Sequence, residues 1–185
     1  MLVFVCVVDP GVGTERRSVV VRTRSGHYVV TPDNGTLTLI AERQGIDELR
    51  EIDEKANRRP GSEVSHTFHG RDVYAFTGAR LAAGVIDFAG VGPSLDSTVL
   101  EFQYQRAKAI SDSTVIGNVT HVEKPFGNIV TNIPQRLVDE MGIFPGDQGE
   151  LLIEIAHAGN KVFVKNLPYV PSFGFVEMGE PLLYL

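Results

Sequence analysis

The feature that most constrains the fold is the unbroken apolar run at residues 2–8, which stops abruptly at Asp9-Pro10-Gly11. A short run dominated by valine, bounded by a turn signal, predicts a buried strand rather than a helix. A buried strand that delivers a carboxylate into a Gly-rich turn places that side chain at the edge of a sheet. The turn continues through Gly11, Val12 and Gly13, presents Arg16 and Arg17, and enters a second β-branched run at 18–22. One short segment therefore offers an acid, a flexible backbone and a cation. Taken alone it supports two readings, a reactive constellation or a strand–turn–strand with a capping Asp and solvated arginines.

Further strands and helices follow in order. Residues 18–22 and 27–31 predict a β-pair around Arg24-Ser25-Gly26, and Pro32-Asp33-Asn34-Gly35 predicts the next tight turn. Residues 36–44 carry apolar side chains at helical spacing and meet Gly45, which predicts a helix. Residues 46–66 are mostly polar; the acid-rich run at 47–54 reads as a solvated face, and Arg58-Arg59-Pro60-Gly61 as a loop. A helix is expected from Asp72, closed by Gly84. Beyond about residue 105 the texture changes to short β-prone runs at 114–123, 129–133, 149–157, 161–166 and 181–185, with one short helix at 135–141. The expected class is α/β: a mixed α/β sheet portion at 1–110, then a mainly antiparallel β portion at 111–185. A chain of 185 residues has room for that division and for a sizeable core.

Charge and cysteine content narrow the partners. A formal charge of −6 gives no electrostatic attraction to nucleic acid or an anionic membrane surface. The single cysteine, Cys6, excludes an intramolecular disulfide and reads as a buried thiol in a reducing compartment. The run at 2–8 is too short to span a bilayer and lacks the basic flank of a signal peptide, so a cytoplasmic location is expected. His66, His69, His121 and His157 show no metal-ligand spacing with cysteine, and Gly11-x-Gly13 lacks the third glycine of a dinucleotide fingerprint.

Two more motifs decide between the readings of the opening turn. They are Thr67-Phe68-His69-Gly70-Arg71-Asp72 and Glu123-Lys124-Pro125-Phe126-Gly127-Asn128 with the β-branched run after it. With Val8-Asp9-Pro10-Gly11-Val12-Gly13, the Pro32-Asp33-Asn34-Gly35 turn and Ala82-Ala83-Gly84, they form an ordered series. That series resembles the S-adenosylmethionine hydroxide adenosyltransferase family, relatives of the fluorinase and chlorinase that attack the same substrate with halide. The resemblance implies attack of water, as hydroxide, on the 5′ carbon of S-adenosylmethionine, giving adenosine and methionine, with no cofactor. The family's water-activating Asp, Arg and His map onto Asp9, Arg16 and His69. Arg16 would lower the cost of a hydroxide-like charge, His69 would take a proton, and Asp9 would orient the water or the imidazole.

The same resemblance implies a substrate pocket. Phe126 and Asn128 are expected at the adenine, the first as an apolar face and the second as donor and acceptor at the purine edge. Glu123 stands where relatives carry Asp, against the polar part of the substrate. Phe173 aligns with an aromatic that closes over adenine. Phe68 and Gly70 flank His69, Gly70 standing where the fluorinase has a halide-binding Ser. Arg71 and Asp72 are expected as an ion pair at a helix start. Two alternatives stand beside the hydrolase: a 5′-halogenase, and a non-catalytic nucleoside-binding fragment. The family's Asp-Phe-Gly segment ahead of the first strand and its Asn-Ser-x-Gly-Tyr-like motif after the last have no counterpart here, so a chain truncated at both ends is expected. Relatives are trimers, with active sites between the α/β portion of one subunit and the β portion of the next, and a homotrimer is expected.

Overall fold

The computed structural model describes residues 1–147 and 149–184. The chain divides into two compact units, Met1–Gln103 and Tyr104–Leu185. The first unit is built on five strands: β1 (Val3–Val5), β2 (Ser18–Thr23), β3 (Tyr28–Pro32), β4 (Ile46–Glu51) and β5 (Ser94–Leu95). Their spatial order is β1-β3-β2-β4-β5, with β1 parallel to β3 and the other pairings antiparallel.

The triplet Val19-Val20-Val21 explains why β2 sits in the middle. Val19 and Val21 join an apolar cluster with Val29, Leu37, Leu49 and Val99. Val20 joins a second cluster with Val30, Val73, Tyr74, Leu81 and Val91. A strand buried on both faces carries no polar alternation, and β2 carries none until Arg22. Helix α1 (Thr38–Gln44) brings Ile40 and Ala41 to the first cluster. A π-helical turn, Gly70–Ala75, runs into helix α2 (Phe76–Ala82) and together they supply Val73, Tyr74 and Leu81 to the second. Helix α2 approaches β1 closely because residue 78 is glycine: a Cβ there would lie 2.5 Å from Val5 Cγ2.

Two expectations for this unit change. The run at 2–8 is not a buried strand. Only Val3–Val5 form β1, which lies at the sheet edge with Phe4 45% and Val5 42% exposed. Its one neighbour is β3, so much of its apolar surface stays open. Nor is the acid-rich run at 47–54 a solvated face: it contains β4, with Leu49 fully buried. Its acidic residues are met across the sheet, where Arg22 of β2 pairs with Asp47 at 2.7 Å and Glu48 at 2.9 Å, and along β4 itself, where Arg50 meets Glu48 at 2.6 Å. Cross-strand ion pairs of this kind let a polar sequence adopt a strand.

The second unit consists of antiparallel hairpins. They are β6 (Lys108–Ser111) with β7 (Thr114–Ile116), β8 (Val119–Glu123) with β9 (Asn128–Thr131), and β10 (Glu150–His157) with β11 (Asn160–Pro168). A short helix, α3 (Gln135–Asp139), separates the second and third. Its buried apolar residues are Leu137, Val138, Leu167, Tyr169 and Val170. The strand expected at 181–185 is reduced to one parallel bridge, Tyr169 to Leu183, and Leu185 lies outside the described residues. The class is therefore α/β, a helix-covered mixed sheet followed by antiparallel hairpins. Among the described residues no helix is long and apolar enough to cross a membrane.

Candidate active site

The turn after β1 closes on itself, with Val12 N donating to the Asp9 carbonyl at 3.3 Å and Thr14 N to the Gly11 carbonyl at 3.1 Å. That folding brings Arg16 back over Asp9. Arg16 Nε donates to Asp9 Oδ1 at 2.9 Å and Nη2 to Oδ2 at 2.6 Å, a two-pronged pairing. The side chains are 10% and 6% exposed, so the pair is shielded on nearly every side. Arg16 Nη1 also donates to Ser18 Oγ at 3.0 Å, and its guanidinium lies 5.6 Å from the centre of the Tyr74 ring. Burial works against the Arg16 charge, but the bond to Asp9 and the surrounding negative groups outweigh it and raise its pKa. Arg16 is a fixed cation.

Ser18 opens β2 and links this pair to a second cluster. Its hydroxyl donates to Glu54 Oε1 at 2.9 Å and meets the Tyr74 hydroxyl at 3.1 Å. Glu54 sits just beyond β4, four residues before Arg58, whose Nη2 donates to Glu54 Oε2 at 3.0 Å. The imidazole of His69, 5% exposed at the start of the π-helical turn, reaches the same place. Its Nε2 lies 3.3 Å from Glu54 Oε2 and 3.2 Å from Arg58 Nη2. His69 Nδ1 is buried and has no hydrogen-bond partner among the described residues. Burial would raise the Glu54 pKa, but bonds from Arg58 and Ser18 and the proximity of His69 outweigh it and hold the carboxyl below its ordinary value. Tyr74, fully buried, is pushed up from 10.0 to about 12, chiefly by burial, with Ser18 and Arg16 opposing.

Asp9, Arg16 and His69 are thus joined by an unbroken run of polar contacts through Ser18 and Glu54. Two flanking residues are placed differently. Phe68 is 55% exposed with Arg71 stacked at 5.0 Å, and a Cβ on Gly70 would come 3.4 Å from Val7 Cγ1. Arg71 pairs with the buried Asp72 at 2.7 Å. Among the described residues no three His, Cys, Asp or Glu side chains gather to hold a metal ion.

In the second unit the residues expected at the adenine sit on one hairpin. Phe126 N and Gly127 N both donate to the Glu123 carbonyl, at 3.0 and 2.9 Å, and Gly127 takes φ 72°, a conformation that favours glycine. That turn throws Phe126 outward, 79% exposed. Asn128 Nδ2 donates to Glu123 Oε2 at 3.0 Å, so the two polar residues hold each other. His121, Glu123, Lys124 and Phe126 line one open depression. Phe173 lies in a 3₁₀ turn, Phe173–Phe175, 57% exposed and packed against Tyr184 with ring centres 4.7 Å apart.

Residues 2–92 match the SAM hydroxide adenosyltransferase N-terminal domain, and residues 117–185 match the C-terminal domain of the same group. The chain belongs to the SAM hydroxide adenosyltransferase family. A relative from Methanocaldococcus jannaschii, named (R)-S-adenosyl-L-methionine hydrolase, is 37% identical over 92% of this chain and 56% of its own length. A fluorinase from Actinoplanes is 28% identical over 99% of this chain and 66% of its own. A crystal structure of a conserved protein from Thermotoga maritima superposes with a TM-score of 0.77 at 34% identity, covering 98% of this chain and 65% of that one. This family member therefore spans between about half and two thirds of the length of the relatives it matches.

Ser18, Glu54, Arg58 and Tyr74 carry no motif and escape a reading of the sequence. Glu54 belongs to the acidic run taken as a solvated face, and Arg58 to a stretch that reads as a loop. The one local signal is their spacing: a carboxylate and an arginine four residues apart can pair along a helical turn. What the assembled cluster offers this family member is two guanidinium cations, two carboxylates and an imidazole whose Nδ1 has no partner among the described residues.

Proposed function

We propose that this chain hydrolyses S-adenosylmethionine, with water attacking the 5′ carbon to give adenosine and methionine. The observation that carries the reading is the single shielded network joining Asp9 and Arg16 to His69. Water is a poor nucleophile, and a preorganised cation and base lower the cost of the charge it develops without a metal ion. Arg16 supplies the cation, Asp9 holds Arg16 in place, and His69 takes the proton. The sulfonium leaves as neutral methionine, so no acid is needed at sulfur. Phe126 and Asn128 bind the adenine, Glu123 and Phe173 complete the substrate contacts, and Phe68 and Gly70 flank the base. S-adenosylmethionine is a substrate here, and the reaction uses no cofactor. The acidic balance and single cysteine fit a cytoplasmic enzyme with no nucleic-acid partner, and the family resemblance supports a homotrimer.

The test is release of adenosine and methionine in equal amounts from S-adenosylmethionine in halide-free buffer, with oxygen from labelled water entering the 5′ hydroxyl. A 5′-halogenated nucleoside formed in chloride or fluoride would install the halogenase reading instead. Because a catalytic set acts as a unit, the Asp9→Asn, His69→Ala double variant is expected to be barely slower than the worse single variant. Single variants that each keep more than about a tenth of the rate, a loss under about 1.4 kcal/mol, would remove this trio from the chemistry.

A further inference from the structure

Ser18 places one hydroxyl among three polar groups, and a single arrangement of protons satisfies them all. The Arg16 guanidinium only donates, so the 3.0 Å contact from Nη1 takes one lone pair of Ser18 Oγ. Burial opposes the charge of Glu54, but its donors outweigh burial and hold the carboxyl below its ordinary range. An ionised carboxylate only accepts, so the 2.9 Å contact to Glu54 Oε1 takes the one Ser18 proton. The 3.1 Å contact with the Tyr74 hydroxyl must then run the other way, the tyrosine donating to the second lone pair of Ser18. Burial pushes Tyr74 up to about 12, so that proton stays in place at neutral pH. Ser18 Oγ accepts twice and donates once, which exhausts what a hydroxyl can do.

The same bonds limit how Arg16 can move. Its Nε and Nη2 are committed to Asp9 at 2.9 and 2.6 Å, and the third nitrogen, Nη1, to Ser18. Asp9 alone grips one edge of the planar group; Ser18 adds a grip on the remaining nitrogen. Tyr74 meets this assembly twice, with its ring 5.6 Å from the guanidinium carbon and its hydroxyl on Ser18. A guanidinium carries five N–H donors in a fixed fork, so after these bonds one N–H on each Nη is left over. We infer that Ser18 is a positioning residue for Arg16, with Tyr74 supporting it: the hydroxyl locks the edge of the guanidinium that Asp9 does not hold. The two remaining N–H groups then keep one orientation while negative charge develops on the attacking oxygen. The chemical consequence rests on the hydrolase reading. A cation already aimed is worth more to a developing charge than one that must be re-aimed at each turnover.

The experiment is low-temperature ¹⁵N NMR of the arginine-labelled full chain, with the Arg16 signals assigned by their loss in Arg16→Lys, alongside steady-state kinetics. In the unaltered protein the two protons on Nη1 are expected as separate signals, because the bond to Ser18 stops rotation about Cζ–Nη1. In Ser18→Ala the Nη1 pair should merge while the Nη2 pair, still held by Asp9, stays resolved. In that variant kcat should fall on the order of 10- to 100-fold, the scale of a small misplacement, with KM nearly unchanged. Ser18→Thr keeps the hydroxyl and should recover both readouts. Tyr74→Phe removes one donor to Ser18 but not the Arg16 bond, so Nη1 should stay resolved and kcat fall less than in Ser18→Ala. A merged Nη1 pair in the unaltered protein would overturn the inference, whether or not the variants fold. So would an unchanged Nη1 pair or kcat in Ser18→Ala, or a Ser18→Thr protein as slow as Ser18→Ala. Merging of the Nη1 and Nη2 pairs together would also overturn it, as general loosening of the fold. Because the signals are read without substrate, an inactive protein with a resolved Nη1 pair would sink the hydrolase reading while leaving the Ser18 contact standing.

Discussion

The two units handle polar residues in opposite ways. In the first, Asp9, Arg16, Ser18, Glu54, Arg58, His69 and Tyr74 are packed against a sheet covered on both faces and bonded to one another. In the second, hairpins dominate, the apolar core is small, and the polar partners Glu123 and Asn128 sit on a turn beside an exposed Phe126. Under the proposed hydrolase reading, the contrast separates two tasks. Groups that must keep one geometry while charge develops profit from a dry, rigid setting, because they are already oriented and no solvent has to reorganise around the new charge. A surface that receives a flat aromatic ligand needs accessible apolar area and a few polar handles, and it tolerates exposure.

The largest expected effect breaks the contrast at its ion pairs. Arg16→Met leaves the Asp9 carboxylate shielded and unpaired, which should cost about 3–5 kcal/mol of stability. Lys161→Met removes the exposed Lys161–Glu154 pair of the second unit, and should cost less than about 1 kcal/mol. Hydrogen exchange at β2 and β11 amides reads the two separately. Equal losses would mean that the shielding of the first pair has no energetic consequence.

A middle-sized effect sharpens it through Tyr74. The unfolded tyrosine ionises near 10.0 and the folded one near 12, so the folded state keeps the proton that the unfolded state loses. The contribution is therefore complete below pH 10 and disappears as pH rises toward 12. About two units correspond to about 2–3 kcal/mol. Denaturant titrations across that window should show a steeper loss for the unaltered protein than for Tyr74→Phe; parallel curves would place Tyr74 in ordinary solvent contact.

The smallest expected change in stability is at Phe126. Phe126→Ala should alter unfolding by less than about 0.5 kcal/mol, since the ring is mostly in solvent. If the exposed ring is a ligand platform, adenosine affinity should still fall about tenfold, a loss of about 1.4 kcal/mol. Calorimetric titration measures it, and unchanged affinity would remove Phe126 from the site.

The sequence by itself determined the parts that depend on neighbours along the chain. Val19-Val20-Val21 dictates a strand buried on both faces, and Asp9 and Arg16 meet across a turn short enough to be read from its glycines. The antiparallel hairpins of the second unit follow from alternating runs and turn residues. Tertiary structure alone decided that β1 is an edge strand, because an apolar run specifies burial preference but not how many neighbours it receives. It also decided the company His69 keeps. Ser18 meets Glu54 across 36 residues and Tyr74 across 56, contacts set by the β2–β4 register and by the π-helical turn that aims Tyr74 inward. Glu54 is an ordinary acidic residue in sequence. It becomes the hub of the polar cluster because pairing β4 with β2 brings it beside Ser18, where Arg58 and His69 can reach the same carboxylate oxygen.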